Sequence, residues 1–324
     1  MSSSNYIKNV AIAGGNVGSY ITHALLDTGK HTITALTRPD SSSKLPEGVN
    51  VKQIDYASPP TIVEALKGQD ALVITLSGFV PKDTETKLFE AAGEAGVKWI
   101  FPNEWSPDTA NENLLKDVAV FAGKPANRKA IASLGKSNYI GVSTGFWYEY
   151  SLAIGPAYGI DTVNHKATLF DDGNTKISTS TWPQVGRTVA GLLSLPIKAE
   201  GQEPCLENYA NKVIYANSFT ISQNEMLASV FRVTGTKESD WTIEKVGSRE
   251  RYETGLEQIK EGKRAGFVKM MYTRIFFQDG AGDTEHSKGT VNAALGLPKE
   301  DLDEATKRAV ARAKAVDGSQ WADE

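Results

Sequence analysis

Apolar positions in the first half of the chain alternate between two periods. "NVAIAG" (9–14) is a short continuous apolar run of the kind that makes a buried strand. Val17, Ile21 and Leu25 then recur at helical spacing up to Gly29, which predicts a helix over 17–28. "TITALTR" (32–38), rich in β-branched residues, predicts a second strand, and "NVKQID" (50–55) a third. Pro59 and Pro60 open a helix over "TIVEALKG". "ALVITL" (71–76) is a fourth strand, 82–95 a helix stopped by Gly96, "VKWIFPN" (97–103) a fifth strand and "NYIGVSTG" (138–145) a sixth.

Beyond about Tyr158 the rhythm loosens. "TVNHKATLF" and "KVIYANS" read as strands; "PQVGRTVAGLLSL", the stretch opened by "TISQNEML", 248–261 and 301–316 read as helices. Strands that alternate with helices form βαβ units, whose right-handed crossovers wind a parallel sheet with helices on both faces. The expected architecture is therefore α/β: a doubly wound, Rossmann-type parallel sheet over 1–157, with a smaller C-terminal α/β lobe over 158–324 for substrate. That lobe is expected to return a strand to the main sheet. Ligands of such sheets bind at the carboxyl ends of the strands.

The first strand–turn–helix carries the first chemistry. Gly14, Gly15 and Gly18 punctuate "AGGNVGSY". Glycine there permits a positive-φ turn and lets backbone approach a pyrophosphate, while the following helix offers free N–H groups. The turn Gly14, Gly15, Asn16, Val17 and Gly18 is the expected cofactor cradle, with Asn16 placed to cap the helix. A plain βα turn with helix-packing glycines is the alternative. The second strand ends "ALTRPDSSSK", with Thr37 in the slot where an acidic residue would take the ribose of NAD and Arg38 after it. A guanidinium fork matches a 2′-phosphate, so Arg38, supported by Lys44, points to NADPH/NADP. The same stretch is also good turn chemistry, and Asp40 offers the ribose contact instead.

Composition narrows the class. The chain has 324 residues, 40% hydrophobic and 23% charged, with a net charge of −4. An acidic balance with scattered Lys and Arg does not suit phosphate neutralisation, so no nucleic-acid role is expected. A lone Cys205 excludes an internal disulfide, no apolar run reaches a membrane span, and the polar start "MSSSNYIKN" has no apolar core segment, so a cytoplasmic, non-membrane protein is expected. His23, His31, His165 and His286 have no metal-ligand spacing, and no metal is expected.

Several catalytic patterns are missing: no tyrosine has a lysine four residues later, and there is neither a G-x-S-x-G elbow nor a Walker loop. The remaining candidate lies in "GKPANRK", where Lys124 and Arg128 would share a helix face. By itself that segment reads as a solvated helix start, the commoner use of such a sequence.

Three segments, in order, give it more meaning: the strand–glycine turn–helix followed by Arg38, "GVKWIFPNEWSPD" (96–108), and the Lys124 segment before the sixth strand. Together they resemble the isoflavone reductase-like branch of the NmrA-like family of atypical short-chain dehydrogenases, over roughly the first 150 residues. The resemblance implies a Rossmann domain, NADPH, and reduction of small phenolic molecules. It implies Lys124 as general acid/base, Arg128 as a substrate contact, and Arg38 and Lys44 around the 2′-phosphate. There are departures. The turn lacks two residues relative to G-A-T-G-x-x-G. Asn103 and Trp105 stand where Ser and Phe are expected, and Asn127 where an apolar residue is expected. Pro125 directly follows Lys124, which predicts an N-cap rather than a helical position for the lysine.

Ser77, Gly78 and Phe79 after the fourth strand, and Asn103 and Glu104 after the fifth, would face the cofactor crevice. Phe146, Trp147 and Tyr148 after the sixth would bind an aromatic substrate or, alternatively, pack between lobes. Met270, Met271, Tyr272, Phe276 and Phe277 are weaker candidates for the substrate side. The expected function is an NADPH-dependent reductase of a small, aromatic or phenolic molecule. The alternative is a non-enzymatic NADP(H)-binding redox sensor with a protein partner. Monomer and homodimer both stay open.

Overall fold

The computed structural model describes residues 5–42, 44–78, 80–81 and 83–315. The chain begins with β1 (Asn9–Ala13), α1 (Asn16–Asp27), β2 (Thr32–Thr37), β3 (Asn50–Gln53), α2 (Pro59–Leu66), β4 (Ala71–Ile74), α3 (Thr84–Ala95) and β5 (Trp99–Phe101). Two helices, α4 (Glu112–Asp117) and α5 (Lys124–Ser133), precede β6 (Asn138–Ser143). Then follow β7 (Phe146–Trp147), α6 (Tyr148–Leu152), α7 (Gly155–Tyr158), β8 (Ile160–Asp161), β9 (Lys166–Phe170), β10 (Ile177–Ser180) and α8 (Trp182–Leu193). The remaining elements are β11 (Lys212–Tyr215), β12 (Phe219–Ile221), α9 (Gln223–Thr234), β13 (Thr242–Val246), α10 (Ser248–Lys260), α11 (Arg264–Thr273), α12 (Thr284–Lys288) and α13 (Leu302–Ala315).

Seven strands form the main sheet in the order β11-β6-β5-β4-β1-β2-β3, with every pair parallel. The chain reverses direction across the sheet between β1 and β4, the switch point at which such sheets open a crevice. Strand alternation explains the layers. Val10 and Ile12 of β1 join one core with Ile21 and Leu25 of α1 and Val185 and Val189 of α8. Ala11 and Ala13 face the other, with Ile62 of α2, Leu88 of α3 and Ile131 of α5. Each such branched side chain contributes roughly 1.5–3 kcal/mol by leaving water. Pro59 and Pro60 sit in the first turn of α2, where a missing N–H costs nothing.

The boundary expected after residue 157 is crossed twice. Helix α8 packs on the sheet beside α1, close enough that a side chain at Gly186 would come within 2.5 Å of the Tyr20 carbonyl. Strand β11 pairs with β6 at the sheet's edge. The remaining C-terminal elements enclose a third core around Tyr148, Tyr158, Phe170, Met226, Tyr272 and Phe276. They include two small sheets, β12-β10-β7 and β13-β9-β8.

Candidate active site at the carboxyl edge of the sheet

β1 and β4 end level, Ala13 opposite Ile74, and β5 ends beside Val73 at Phe101. The segments that follow these strands therefore meet above the switch point. Gly14 and Gly15 turn the chain with φ of 72° and 82°. A Cβ on Gly15 would lie 1.7 Å from the Thr75 carbonyl oxygen, and one on Gly18 would lie 2.6 Å from Thr75 Oγ1. The shortened turn is thus pressed against the end of β4, and the Thr75 hydroxyl donates to the Gly14 carbonyl. Its other side is open: Gly14, Gly15 and Asn16 are exposed.

Helix α1 starts at Asn16 with Gly15 in the cap position and no side-chain cap. This corrects the expectation for Asn16, which is the first helical residue rather than the cap. The first-turn N–H groups stay uncapped and no acidic side chain sits in that turn, so the positive end of the helix dipole faces outward. The Val17 side chain is in the core, and only its backbone belongs to the turn. An exposed positive-φ turn leading into an uncapped helix fits a pyrophosphate. Arg38 follows β2 with its side chain 65% exposed, paired only loosely with Asp40 at 3.5 Å, and Lys44 is exposed on the same loop. These cations fit an added phosphate. Ser77 is exposed after β4. Phe79 lies outside the described residues.

A chain of polar contacts runs from the turn toward α5. The Asn103 amide donates to the Leu76 carbonyl at 2.9 Å, and the Trp105 indole to the Ile74 carbonyl at 2.7 Å, tying the segment after β5 to the end of β4. The Lys124 amine donates to the Asn103 carbonyl. Lys124 is the first residue of α5, with Gly123 as cap. Pro125 therefore sits in the first turn, where proline is tolerated because that N–H has no intrahelical partner. The N-cap position predicted for Lys124 is not observed, and the amine reaches the crevice from inside the helix.

Arg128, one turn on, is placed differently from the expectation. It is 8% exposed. Its guanidinium donates to Glu104 at 2.7 Å, to the Thr109 hydroxyl at 2.8 Å and to the Thr109 carbonyl at 3.0 Å. Thr109 also donates to Glu104. Arg128 is thus an internal ion-pair partner that ties α5 to the segment after β5, rather than a free contact for substrate. Glu104 is likewise a buried partner and not a wall of the crevice. Beside it, the Tyr215 hydroxyl donates to Asp108 at 3.1 Å, and burial followed by the Asp108 charge pushes the phenol upward.

Sequence reasoning passed over Glu85, in the first turn of α3. Its carboxylate accepts from the Asn127 amide at 2.9 Å. Burial pushes its pKa up, and the nearby Lys124 charge opposes that. Nothing in local spacing flags Glu85; its position next to two motif segments exists only in three dimensions.

Of the aromatic candidates, Tyr148 is completely enclosed and its hydroxyl bonds Thr306 at 2.8 Å. Phe146 is 8% exposed and stacks on Tyr272 at 4.0 Å. Trp147 lies against Trp182 and Tyr150. The packing alternative is what the structure contains for Tyr148 and Phe146: they are core residues and no platform for a ligand. Tyr272, Phe276 and Phe277 are buried too, the first two in the same core. Among the described residues no His, Cys, Asp and Glu cluster has metal-binding geometry, and no helix is long and apolar enough to cross a membrane.

The NmrA-like family model matches residues 8–177. "Oxidoreductase aprR" of Aspergillus flavus is 29% identical over 298 residues, covering 90% of this chain and 94% of the relative. The solved structure of pinoresinol-lariciresinol and phenylcoumaran benzylic ether reductases is 21% identical with a TM-score of 0.71, over 93% of this chain and 99% of that one. The NADPH complex of quinone oxidoreductase QOR2 of Escherichia coli is 20% identical with a TM-score of 0.67, over 92% and 98%. At these identities the two structures establish the common fold. With the family model spanning more than half of its length, the chain belongs to the NmrA-like family.

Proposed function

We propose that this chain is an NADPH-dependent reductase of a small aromatic or phenolic molecule, with Lys124 as the general acid/base. The observation that carries the reading is the Lys124 amine. It is held at the Asn103 carbonyl, where the ends of β4 and β5 meet the open glycine turn. The names of the relatives support it, since oxidoreductases and NADPH-linked reductases share the fold.

NADPH, when bound, would supply the hydride. Gly14, Gly15 and the first-turn amides of α1 at Asn16, Val17 and Gly18 would receive its pyrophosphate. Arg38 and Lys44 would take the 2′-phosphate, and Ser77 and Asn103 would lie along the crevice. The Lys124 ammonium, fixed by the Asn103 carbonyl, gives a proton to the atom of the substrate that gains negative charge. Arg128 holds α5, and with it the lysine, in register with the Asn103 segment.

The test has two stages. Titration of the purified protein with NADPH and with NADH is expected to show micromolar NADPH binding and much weaker NADH binding. Oxidation of NADPH is then followed with a panel of quinones, enones and phenylpropanoid ethers. Binding of neither nucleotide would remove the reading. A second reading, a non-enzymatic NADP(H)-binding regulator, is favoured by one observation: Arg128, Phe146 and Tyr148 are all committed to the interior. Tight NADPH binding with no turnover across the panel would select it.

A further inference from the structure

The glycine turn is held from behind by one side chain. Thr75, the first residue beyond β4, is 4% exposed. Its backbone N–H extends the ladder between β1 and β4, donating to the Ala13 carbonyl at 2.9 Å. Its hydroxyl lies 3.3 Å from the same carbonyl oxygen and donates to the Gly14 carbonyl. Thr75 is itself clamped on both sides. The Trp105 indole donates to the Ile74 carbonyl at 2.7 Å, and the Asn103 amide to the Leu76 carbonyl at 2.9 Å. These donors stand where the resemblance expects Phe, which has none to offer, and the shorter Ser. The end of β4 therefore presents the Thr75 hydroxyl to the turn as a group with little freedom of its own.

The consequence lies in one peptide plane. The bond between Gly14 and Gly15 is trans, and in a planar trans peptide the carbonyl and the following N–H point in opposite directions. With the Gly14 carbonyl bonded to Thr75 on the inner side, the Gly15 N–H is directed to the outer side, where Gly14, Gly15 and Asn16 are exposed. A peptide between two glycines rotates at little steric cost, so its orientation has to be held by a partner. We propose that Thr75 is the positioning residue of the pyrophosphate cradle. Its hydroxyl sets the Gly14–Gly15 peptide so that the Gly15 N–H joins the uncapped first-turn amides of α1 as a donor to a phosphate oxygen. The inference rests on the NADPH-binding reading above, and it names the group that lets the shortened turn present an amide outward. Thr75 touches the turn and not the nucleotide, so it acts by pre-orienting a donor that would otherwise be ordered only on binding.

The experiment titrates the parent, Thr75→Ser, Thr75→Ala and Thr75→Val with NADPH and with adenosine 2′-monophosphate, which carries the phosphate assigned to Arg38 and no pyrophosphate. T75A and T75V are expected to bind NADPH about tenfold more weakly, the contribution of one hydrogen bond, and to bind adenosine 2′-monophosphate as the parent does. T75S keeps the hydroxyl and is expected to stay close to the parent with both ligands. A second readout needs no variant. Gly14–Gly15 is the one Gly–Gly pair of the chain. Protein labelled with glycine carrying carbon-13 at the carbonyl and nitrogen-15 therefore gives a single amide signal coupled to a labelled carbonyl, that of Gly15. This signal should move on addition of NADPH and stay in place with adenosine 2′-monophosphate. Parental NADPH affinity in T75A and T75V, equal weakening of both ligands, T75S as weak as T75A, or a Gly15 signal unmoved by saturating NADPH would each overturn the role of Thr75. Failure of the parent to bind NADPH would instead remove the reading on which that role rests.

Discussion

Around the glycine turn the polar groups are left outward: uncapped amides at the start of α1, and an arginine 65% exposed that pairs at 3.5 Å with a still more exposed aspartate. On α5 the matching arginine is turned inward, with Arg128 buried on Glu104 and Thr109. Both stretches match motif positions of the same family. The first is built to meet something outside the chain. The second meets the chain itself, and only Lys124 at its tip reaches the crevice. A shared motif therefore does not imply a shared kind of role: one arginine reads as a ligand contact and the other as a brace.

The largest effect should come from the tip. Lys124→Met is expected to reduce turnover by about 10²–10⁴-fold, the range of a lost general acid/base, while NADPH affinity measured by titration stays at the parental value. Equal losses of rate and nucleotide affinity would mean that the lysine belongs with the outward-facing binding region.

The brace comes next. Arg128→Ala leaves Glu104, 1% exposed, as an unpaired buried charge. Breaking a buried pair in this way costs about 3–5 kcal/mol, which thermal or urea unfolding will register as a clear loss of stability. The double variant E104Q/R128M should recover part of it, because it removes both charges. If Arg128→Ala instead raised KM and left the melting temperature alone, the arginine would be a substrate contact after all and the contrast between the two regions would fail. Arg38→Ala should do the opposite. It is expected to leave stability unchanged and weaken NADPH binding by about 10–100-fold, the loss of a charge-assisted contact worth about 1.5–3 kcal/mol, with NADH binding unaffected. Equal weakening for both nucleotides would place Arg38 away from the 2′-phosphate.

The same contrast explains what was legible in the sequence. Apart from the polar β3, the strands of the first half are short, largely apolar runs with Gly or Pro soon after them, and their order alone places Gly14, Ser77 and Asn103 on one edge of the sheet. The two-residue strands β7 and β8 carry no periodicity to read. In "GFWYEY", periodicity left stacking and packing equally open, because enclosure of Tyr148 depends on α13 more than 150 residues later, through Thr306. Outward-facing site residues announce themselves by type and spacing. Inward-facing ones, such as Arg128 with Glu104, acquire their meaning only when the fold brings the partners together. Glu85 is the extreme case: an ordinary acidic residue in the first turn of a helix, made distinctive by the Asn127 amide that reaches it from α5.

Glu85 also gives the smallest and most discriminating test. Burial raises the proton affinity of this carboxyl above its unfolded value. The folded chain therefore holds the proton more firmly than the unfolded chain. The group's contribution to stability is complete at pH below the unfolded carboxyl range, and it is lost as pH rises through the higher folded value. Glutamine mimics the protonated form at every pH. E85Q should thus melt at the parental temperature in acid and slightly above it at pH 8, a difference that paired thermal melts across the range will reveal. A Glu85→Gln protein that is less stable at pH 8 would show that the carboxylate is favoured by its hydrogen bond from Asn127, making it a second brace. A variant that is more stable but slower in turnover would place Glu85 with Lys124, because a buried carboxyl that costs stability at working pH is retained for the chemistry it performs.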